Sequence, residues 1–321
     1  MKIIIPDDYQ HVIRNLDCFR LLADHDVTLY HDVPKDREEL VQRFYDADAL
    51  VLTRERTAID NDLLSQLPHL KVISQTGKVA DHLDIKACTK HHVAVVEGRG
   101  SPIAPAELAW ALIMNSQRQL IPAINGLYQG KWQVNIGQRL AGKTLGIWGY
   151  GKIGARLARY AKAFDMNVVI WGREASRKKA IEDGYQAATN KKAFFKVCDI
   201  ISLNLRLVSE TQEIVKLDDL LAMKSDALLV NISRAGLIEQ GALLKAIEQG
   251  HPGFAALDVF ENEPIYDVNS PYLTHPNILC TPHLGYVEKE SYELYFSIAF
   301  ENLLAFFAGE VKGLVNPDYK K

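Results

Sequence analysis

The sequence predicts an α/β protein of two doubly wound parallel-sheet domains. Three observations carry that prediction. Short β-rich runs alternate with helical stretches along the chain, the pattern of a parallel sheet covered by helices on both faces. The alternation stops at a long helical stretch near residues 105–116 and then starts again. The 321 residues, 48% hydrophobic and 24% charged, are enough for two buried cores of ordinary globular composition.

In the first series, strands are predicted at 2–5, 27–30, 49–52, 71–74 and 93–96, with helices at 37–45 and 61–67. The helical stretch at 105–116 leads through 126–132 to a second series, with strands at 144–149, 167–171, 199–204, 227–232, 254–259 and 278–281. The clearest amphipathic helix covers 153–164. Ala155, Leu157, Ala158, Ala161 and Phe164 recur there at helical spacing, while Arg156, Arg159 and Lys162 point elsewhere. A final aromatic-rich helix at 288–307 needs a sheet to cover, so it is assigned back to the first domain. The predicted domains are therefore 1–100 plus 285–321, and 101–284. Ligands of open α/β sheets bind outside the C-terminal strand ends, which predicts a site in the cleft between the two domains.

Composition narrows the function. A net charge of −3 gives no reason to expect nucleic acid or an anionic membrane as partner. No apolar run reaches the roughly 18–20 residues of a membrane span. The opening Met1–Pro6 stretch is too short for a secretory apolar region, so a cytoplasmic location is expected. Cys18, Cys88, Cys198 and Cys280 are scattered without a CxxC pair or a histidine at metal spacing; they read as small buried apolar residues, and no metal is expected. His91-His92 reads as a solvated turn.

The strongest local signal is Gly149-Tyr150-Gly151-Lys152-Ile153-Gly154, a GxGxxG placed between a predicted strand and a predicted helix. In that context the first glycine permits a tight turn, the second lets backbone approach a pyrophosphate, and the third lets helix and strand pack closely. The anion then rests on the helix N-terminus, where free N–H groups and the dipole favour it. The second domain is thus expected to be a Rossmann domain binding a dinucleotide, inserted in a flavodoxin-like domain. A carboxylate for the ribose 2′-hydroxyl of NAD is expected about 20 residues further on, at the tip of the next strand. Trp171 is followed instead by Gly172-Arg173, with Ser176, Arg177 and Lys178 close behind. The exchange of carboxylate for cation favours the 2′-phosphate of NADP; in the alternative, NAD is bound with Glu174 as the ribose ligand.

From this turn onward the sequence resembles the D-isomer-specific 2-hydroxyacid dehydrogenases, and weaker matches extend the resemblance over nearly the whole chain. They are Gly77–Asp84 against the family's GVGxDxID, Pro105-Ala106-Glu107, and 140–146. Three later blocks are stronger. Leu229 to Arg234 looks like VNxxR, whose arginine binds the substrate carboxylate and C2 oxygen; a guanidinium suits that task as a rigid, permanently charged fork. Ala256 to Pro264 implies that Asp258 contacts the nicotinamide end and that Glu263, or alternatively Glu261, pairs with the catalytic histidine. Thr281-Pro282-His283-Leu284-Gly285 looks like TPHxG, which makes His283 the general acid/base. A carboxylate beside it would stabilise the imidazolium and fix the ring. The resemblance further implies Leu205, Arg206, Thr211, Ile232, Ser233 and Gly285 as cofactor-binding residues, and Gly77, Lys78 and Val79 as substrate-binding residues. The implied enzyme moves hydride between NAD(P)(H) and C2 of a small 2-hydroxy or 2-oxo acid, with phosphoglycerate oxidation as the alternative within the family. A nucleotide-sensing, co-repressor-like binding protein is the alternative from another class.

The chain also departs from the family pattern. Asn204-Leu205-Arg206 stands where His-x-Pro is usual, Ala235 replaces a glycine, and only the first glycine of GVGxDxID survives. Lys78, with Arg99, hints at a substrate with a second anionic group; otherwise Lys78 faces solvent. The apolar stretch at 105–132, with Trp110, Leu127, Tyr128 and Trp132, predicts a homodimer.

Overall fold

Strands built from β-branched and aliphatic residues need cover on both faces, and the order of elements supplies it. A computed structural model describes residues 1–320. The first unit opens with β1 (Lys2–Ile5), β2 (Asp26–Leu29), α1 (Arg37–Phe44), β3 (Ala49–Leu52), α2 (Asn61–Leu64), β4 (Val72–Gln75), α3 (Ile85–Lys90) and β5 (Ala94–Glu97). Its strands form a parallel five-stranded sheet in the order β2-β1-β3-β4-β5. Three helices start on aspartate: Asp36, Asp60 and Asp84 accept hydrogen bonds from Glu39, Leu63 and Ala87 N–H, so each side chain satisfies a donor the helix cannot. Phe44, Leu50, Leu63, Ile73 and Val95 fill one core of this unit.

The second unit runs from Pro102 to Val287. It holds α4 (Ile103–Arg118), α5 (Leu120–Tyr128), β6 (Thr144–Trp148), α6 (Lys152–Ala163), β7 (Asn167–Trp171), α7 (Glu174–Glu182), β8 (Gln186–Ala187), α8 (Lys191–Val197), β9 (Ile200–Leu203), α9 (Leu217–Leu221), β10 (Leu228–Asn231), α10 (Ala242–Glu248), β11 (Phe254–Leu257), α11 (Pro271–Thr274) and β12 (Ile278–Cys280). Seven parallel strands take the order β12-β11-β10-β9-β6-β7-β8. Two cores cover the two faces. One gathers Phe194, Phe195, Leu203, Leu229 and Leu257; the other gathers Ile113, Ile147, Leu157, Ile170 and Val230. β6 is therefore central, and the winding reverses between it and β9.

The chain then returns to the first unit through α12 (Lys289–Phe307). Glu288 caps this helix by accepting from the N–H groups of Glu290 and Ser291, which sets the return at residue 288. Tyr292, Tyr295, Phe296, Ala299, Phe300 and Leu303 are its buried residues, and Ser74 in β4 donates to the Ala299 carbonyl at 2.7 Å.

The helical stretch expected at 105–116 is α4, and Gln119, with a left-handed φ of +48°, ends it before α5 begins. Helix α2 stops three residues before the expected end. No described helix is long and apolar enough to cross a membrane. Among the described residues, no group of three or more His, Cys, Asp or Glu side chains could hold a metal, and the four cysteines are unpaired.

Candidate active site

The glycine turn lies between β6 and α6. Gly149 has φ +101°, and a Cβ there would stand 2.5 Å from the Asn204 carbonyl oxygen. A Cβ on Gly154 would run into the Gly149 carbonyl oxygen. Gly151 is different, because nothing lies within 4 Å of its Cβ position. Protein packing thus explains the first and third glycines, and an approaching ligand explains the second. That pattern fits a pyrophosphate on the α6 N-terminus. Lys152 is exposed and Ile153 half-buried at the start of that helix. The Tyr150 side chain turns inward, where its hydroxyl donates to Asp183 at 2.8 Å, and burial pushes its phenol up.

No carboxylate stands at the tip of β7. Gly172 and Arg173 follow the strand, and Arg173 is exposed at the cap of α7. Glu174 pairs with Lys178 at 2.8 Å along the helix. The Arg177 guanidinium lies over the Trp171 ring at 5.0 Å, and its buried Nε has no hydrogen-bond partner among the described residues.

The loop after β9 is folded on itself. Thr211 donates through Oγ1 to the Arg206 carbonyl at 2.6 Å and accepts from Val208 N–H at 2.9 Å. Arg206 is exposed, and Leu205 lies against Gly149. Ile232 is buried beyond the end of β10, and the Ser233 hydroxyl ties that strand end to β9 through the Leu203 carbonyl, 2.8 Å away. Buried Asn231 clamps the turn that presents Arg234: it accepts from Ser233 N–H at 3.0 Å and donates to the Arg234 carbonyl at 2.9 Å.

The residues expected to handle the proton follow the two neighbouring strand ends. His283 Nδ1 lies 2.6 Å from Glu263 Oε2, and Glu263 Oε1 accepts from Phe260 N–H at 2.8 Å. A carboxylate can only accept, so Nδ1 carries the proton. Glu261, the other candidate partner, accepts instead from the Tyr272 hydroxyl at 3.1 Å. His283 has a left-handed φ of +53°, uncommon outside glycine, and its ring meets Tyr286 edge-on at 5.7 Å. The neighbour that holds this conformation is Asp258. It is fully buried, and its oxygens accept from the Thr281 hydroxyl at 2.6 Å, Leu284 N–H at 2.7 Å and Gly285 N–H at 2.8 Å. Burial pushes its carboxyl up. Asp258 thus holds the histidine loop.

In the first unit, Gly77 has φ +87° and is packed against Arg54, itself stacked on Tyr295, so a Cβ does not fit there. Lys78 forms an ion pair with Glu97, and the Val79 N–H donates to the same carboxylate at 3.0 Å. The extra cation expected at Lys78 is therefore met by an anion of the protein. Arg54 and Tyr286, which pack against Gly77 and His283, were not singled out in the sequence. Only Arg54, in Thr53-Arg54-Glu55-Arg56 after β3, carried a visible signal, a charged run at a strand end.

Comparison with known proteins bears on this arrangement. Residues 110–285, more than half the chain, match the family model for the D-isomer specific 2-hydroxyacid dehydrogenase, NAD binding domain. A glyoxylate reductase of Aeropyrum pernix is 36% identical over 312 residues, covering 91% of this chain and 92% of its own. A D-3-phosphoglycerate dehydrogenase of Methanocaldococcus jannaschii is 34% identical over 86% of this chain but only 52% of that longer protein. The crystal structure of a phosphoglycerate oxidoreductase from Vibrio cholerae O395 superposes with a TM-score of 0.94 at 52% identity, over 96% of this chain and 99% of that one. The chain belongs to the D-isomer specific 2-hydroxyacid dehydrogenases, and it is a nicotinamide-dependent oxidoreductase that moves hydride between its cofactor and C2 of a small 2-hydroxy or 2-oxo acid.

Proposed function

We propose that the chain interconverts a small 2-oxo acid and its 2-hydroxy acid with NADP(H), using His283 for the proton and Arg234 for the substrate carboxylate and C2 oxygen. The observation that carries this reading is the 2.6 Å bond between His283 and Glu263. The cofactor supplies or accepts hydride at C2. Reduction then needs one proton on the C2 oxygen; His283 Nε2 gives it and, in oxidation, takes it back. Glu263 holds the ring and offsets the charge of the imidazolium. Asp258 fixes the loop, and the Gly77–Val79 stretch is assigned to the substrate carboxylate.

Three features favour a 2′-phosphate at the β7 tip. A carboxylate is missing there, Glu174 is engaged with Lys178, and the Arg177 Nε donor is unsatisfied above Trp171. The Lys78–Glu97 pair favours a singly charged acid, as in the relatives named glyoxylate reductase. A phosphorylated three-carbon acid is the second reading, favoured by the name of the Vibrio structure. We also infer a homodimer through the α5 arm, and a reducing compartment such as the cytoplasm suits the four unpaired cysteines.

Purified protein assayed with NADPH and NADH against glyoxylate, hydroxypyruvate, pyruvate and 3-phosphohydroxypyruvate tests each part. One charge-assisted contact predicts a preference for NADPH of roughly 10–100-fold. Arg173→Ala should raise the KM for NADPH and leave NADH almost unchanged. A wild-type preference for NADH would overturn the 2′-phosphate reading and make Glu174 the ribose ligand. Oxidation of neither cofactor by any acid would overturn the reaction itself.

A further inference from the structure

The two strands flanking β6 each end beside a buried polar atom that lacks a partner among the described residues. On the β7 side it is Arg177 Nε, a donor; on the β9 side it is Asn204 Oδ1, an acceptor. The orientation of the Asn204 amide is determined by its neighbours. Its Nδ2 donates to the Ser202 carbonyl at 3.0 Å and lies 3.2 Å from the Ser202 hydroxyl. Turning the amide over would set Oδ1 against that carbonyl, acceptor against acceptor, so Oδ1 stays on the opposite side. The residue adjoins the glycine turn, because its carbonyl oxygen is what a Cβ on Gly149 would meet. A buried acceptor with no donor is costly, and such atoms persist where a ligand completes them.

The chemistry of a dinucleotide limits which donor can complete it. Phosphates only accept. Ribose hydroxyls donate, as do the amino groups of adenine and of the carboxamide. In this fold the pyrophosphate rests on the α6 N-terminus and the adenosine ribose lies at the tip of β7. β9 stands on the other side of β6, so the group that meets its end belongs to the nicotinamide half. We propose that Asn204 is a cofactor-binding residue whose Oδ1 accepts a hydrogen bond from a hydroxyl of the nicotinamide-side ribose. The inference rests on dinucleotide binding at the glycine turn and is independent of the choice between NAD and NADP.

The test is calorimetric titration of the full chain with ADP, ADP-ribose and NADPH, comparing wild type with Asn204→Leu, which removes the acceptor at similar volume. Loss of one hydrogen bond should weaken ADP-ribose and NADPH by about tenfold and leave ADP within about twofold. Asn204→Ala is the second variant if leucine lowers the melting temperature. Equal weakening of all three ligands would overturn the proposal, placing Asn204 on the adenosine side or in the folding of the turn. Unchanged affinity for all three would overturn it as well. Failure of the wild type to bind ADP-ribose or NADPH would instead overturn dinucleotide binding itself.

Discussion

His283 stands where three independent constraints meet: a left-handed backbone, a carboxylate 2.6 Å from Nδ1, and an aromatic edge from Tyr286. A side chain held so firmly has its Nε2 aimed in one direction, which is what proton transfer at a single oxygen demands. His283→Ala should lower turnover by roughly 10²–10⁴-fold while cofactor affinity, read by fluorescence titration, stays nearly constant. Turnover close to wild type would remove His283 from the mechanism. The residues that act on the histidine were visible in the sequence because each lies in a short run of characteristic neighbours: Glu263 before Pro264, and Asp258 after Leu257. Tyr286 was not visible, and Asn204 was visible only as a departure from the family pattern. An unsatisfied amide oxygen and a ring edge exist only once the chain has folded, and neither residue type by itself suggests a ligand.

At the scale of elements, the glycine turn makes a differential prediction. Gly154→Ala collides with backbone, so it should lower the melting temperature along with cofactor binding. Gly151→Ala meets no protein atom within 4 Å and should melt like the wild type while losing dinucleotide affinity. Equal melting and equal affinity in both variants would mean that the turn holds no pyrophosphate. A second element-level test concerns Asp199, which joins the starts of β9 and β6 by accepting from Thr144 N–H at 2.7 Å and from Lys224 at 2.6 Å. Burial pushes its carboxyl up, but these partners outweigh burial and hold it below its ordinary 3.8. Its folded value is thus lower than its unfolded one, so its stabilisation is complete above about pH 4 and is lost as the pH falls through the folded value. Asp199→Asn should lower Tm by about 2–4 °C at pH 7, and the gap from wild type should close towards pH 3. A gap that persists in acid would show that charge is not its cause. The sequence locates several strands and the amphipathic helix well. β1, β3 and β7 begin and end where the sequence places them, and α6 is offset by one residue. The short helices α7 to α11 were less legible, because four to nine residues of mixed polarity show no period that stands out.

Large apolar side chains lie exposed along α5 and the segment that follows it. Tyr128 is 85% exposed, Trp132 78% and Ile136 93%, and Ile121, Ile124 and Leu127 lie exposed on the adjoining α5. Trp110, expected to share this surface, packs instead against Tyr160 and Phe164 within its own unit. Several large side chains left in water together favour association with a second copy. Sedimentation at micromolar concentration should therefore show a dimer, and Trp132→Glu with Ile136→Glu should shift it to monomer without loss of secondary structure. A wild-type monomer would mean that the arm serves another purpose.

The return of the chain through α12 has a consequence for how the protein is made. Ser74 waits 225 residues for Ala299, the carbonyl it binds. At the usual elongation rate of 5–20 residues per second, that is roughly 10–45 s on the ribosome. During that interval the first sheet has been synthesised but one of its faces lacks its helix, while the uninterrupted second unit can fold as soon as it emerges. The order of maturation is then the reverse of the order of synthesis, and the nascent first sheet is the segment most dependent on a chaperone.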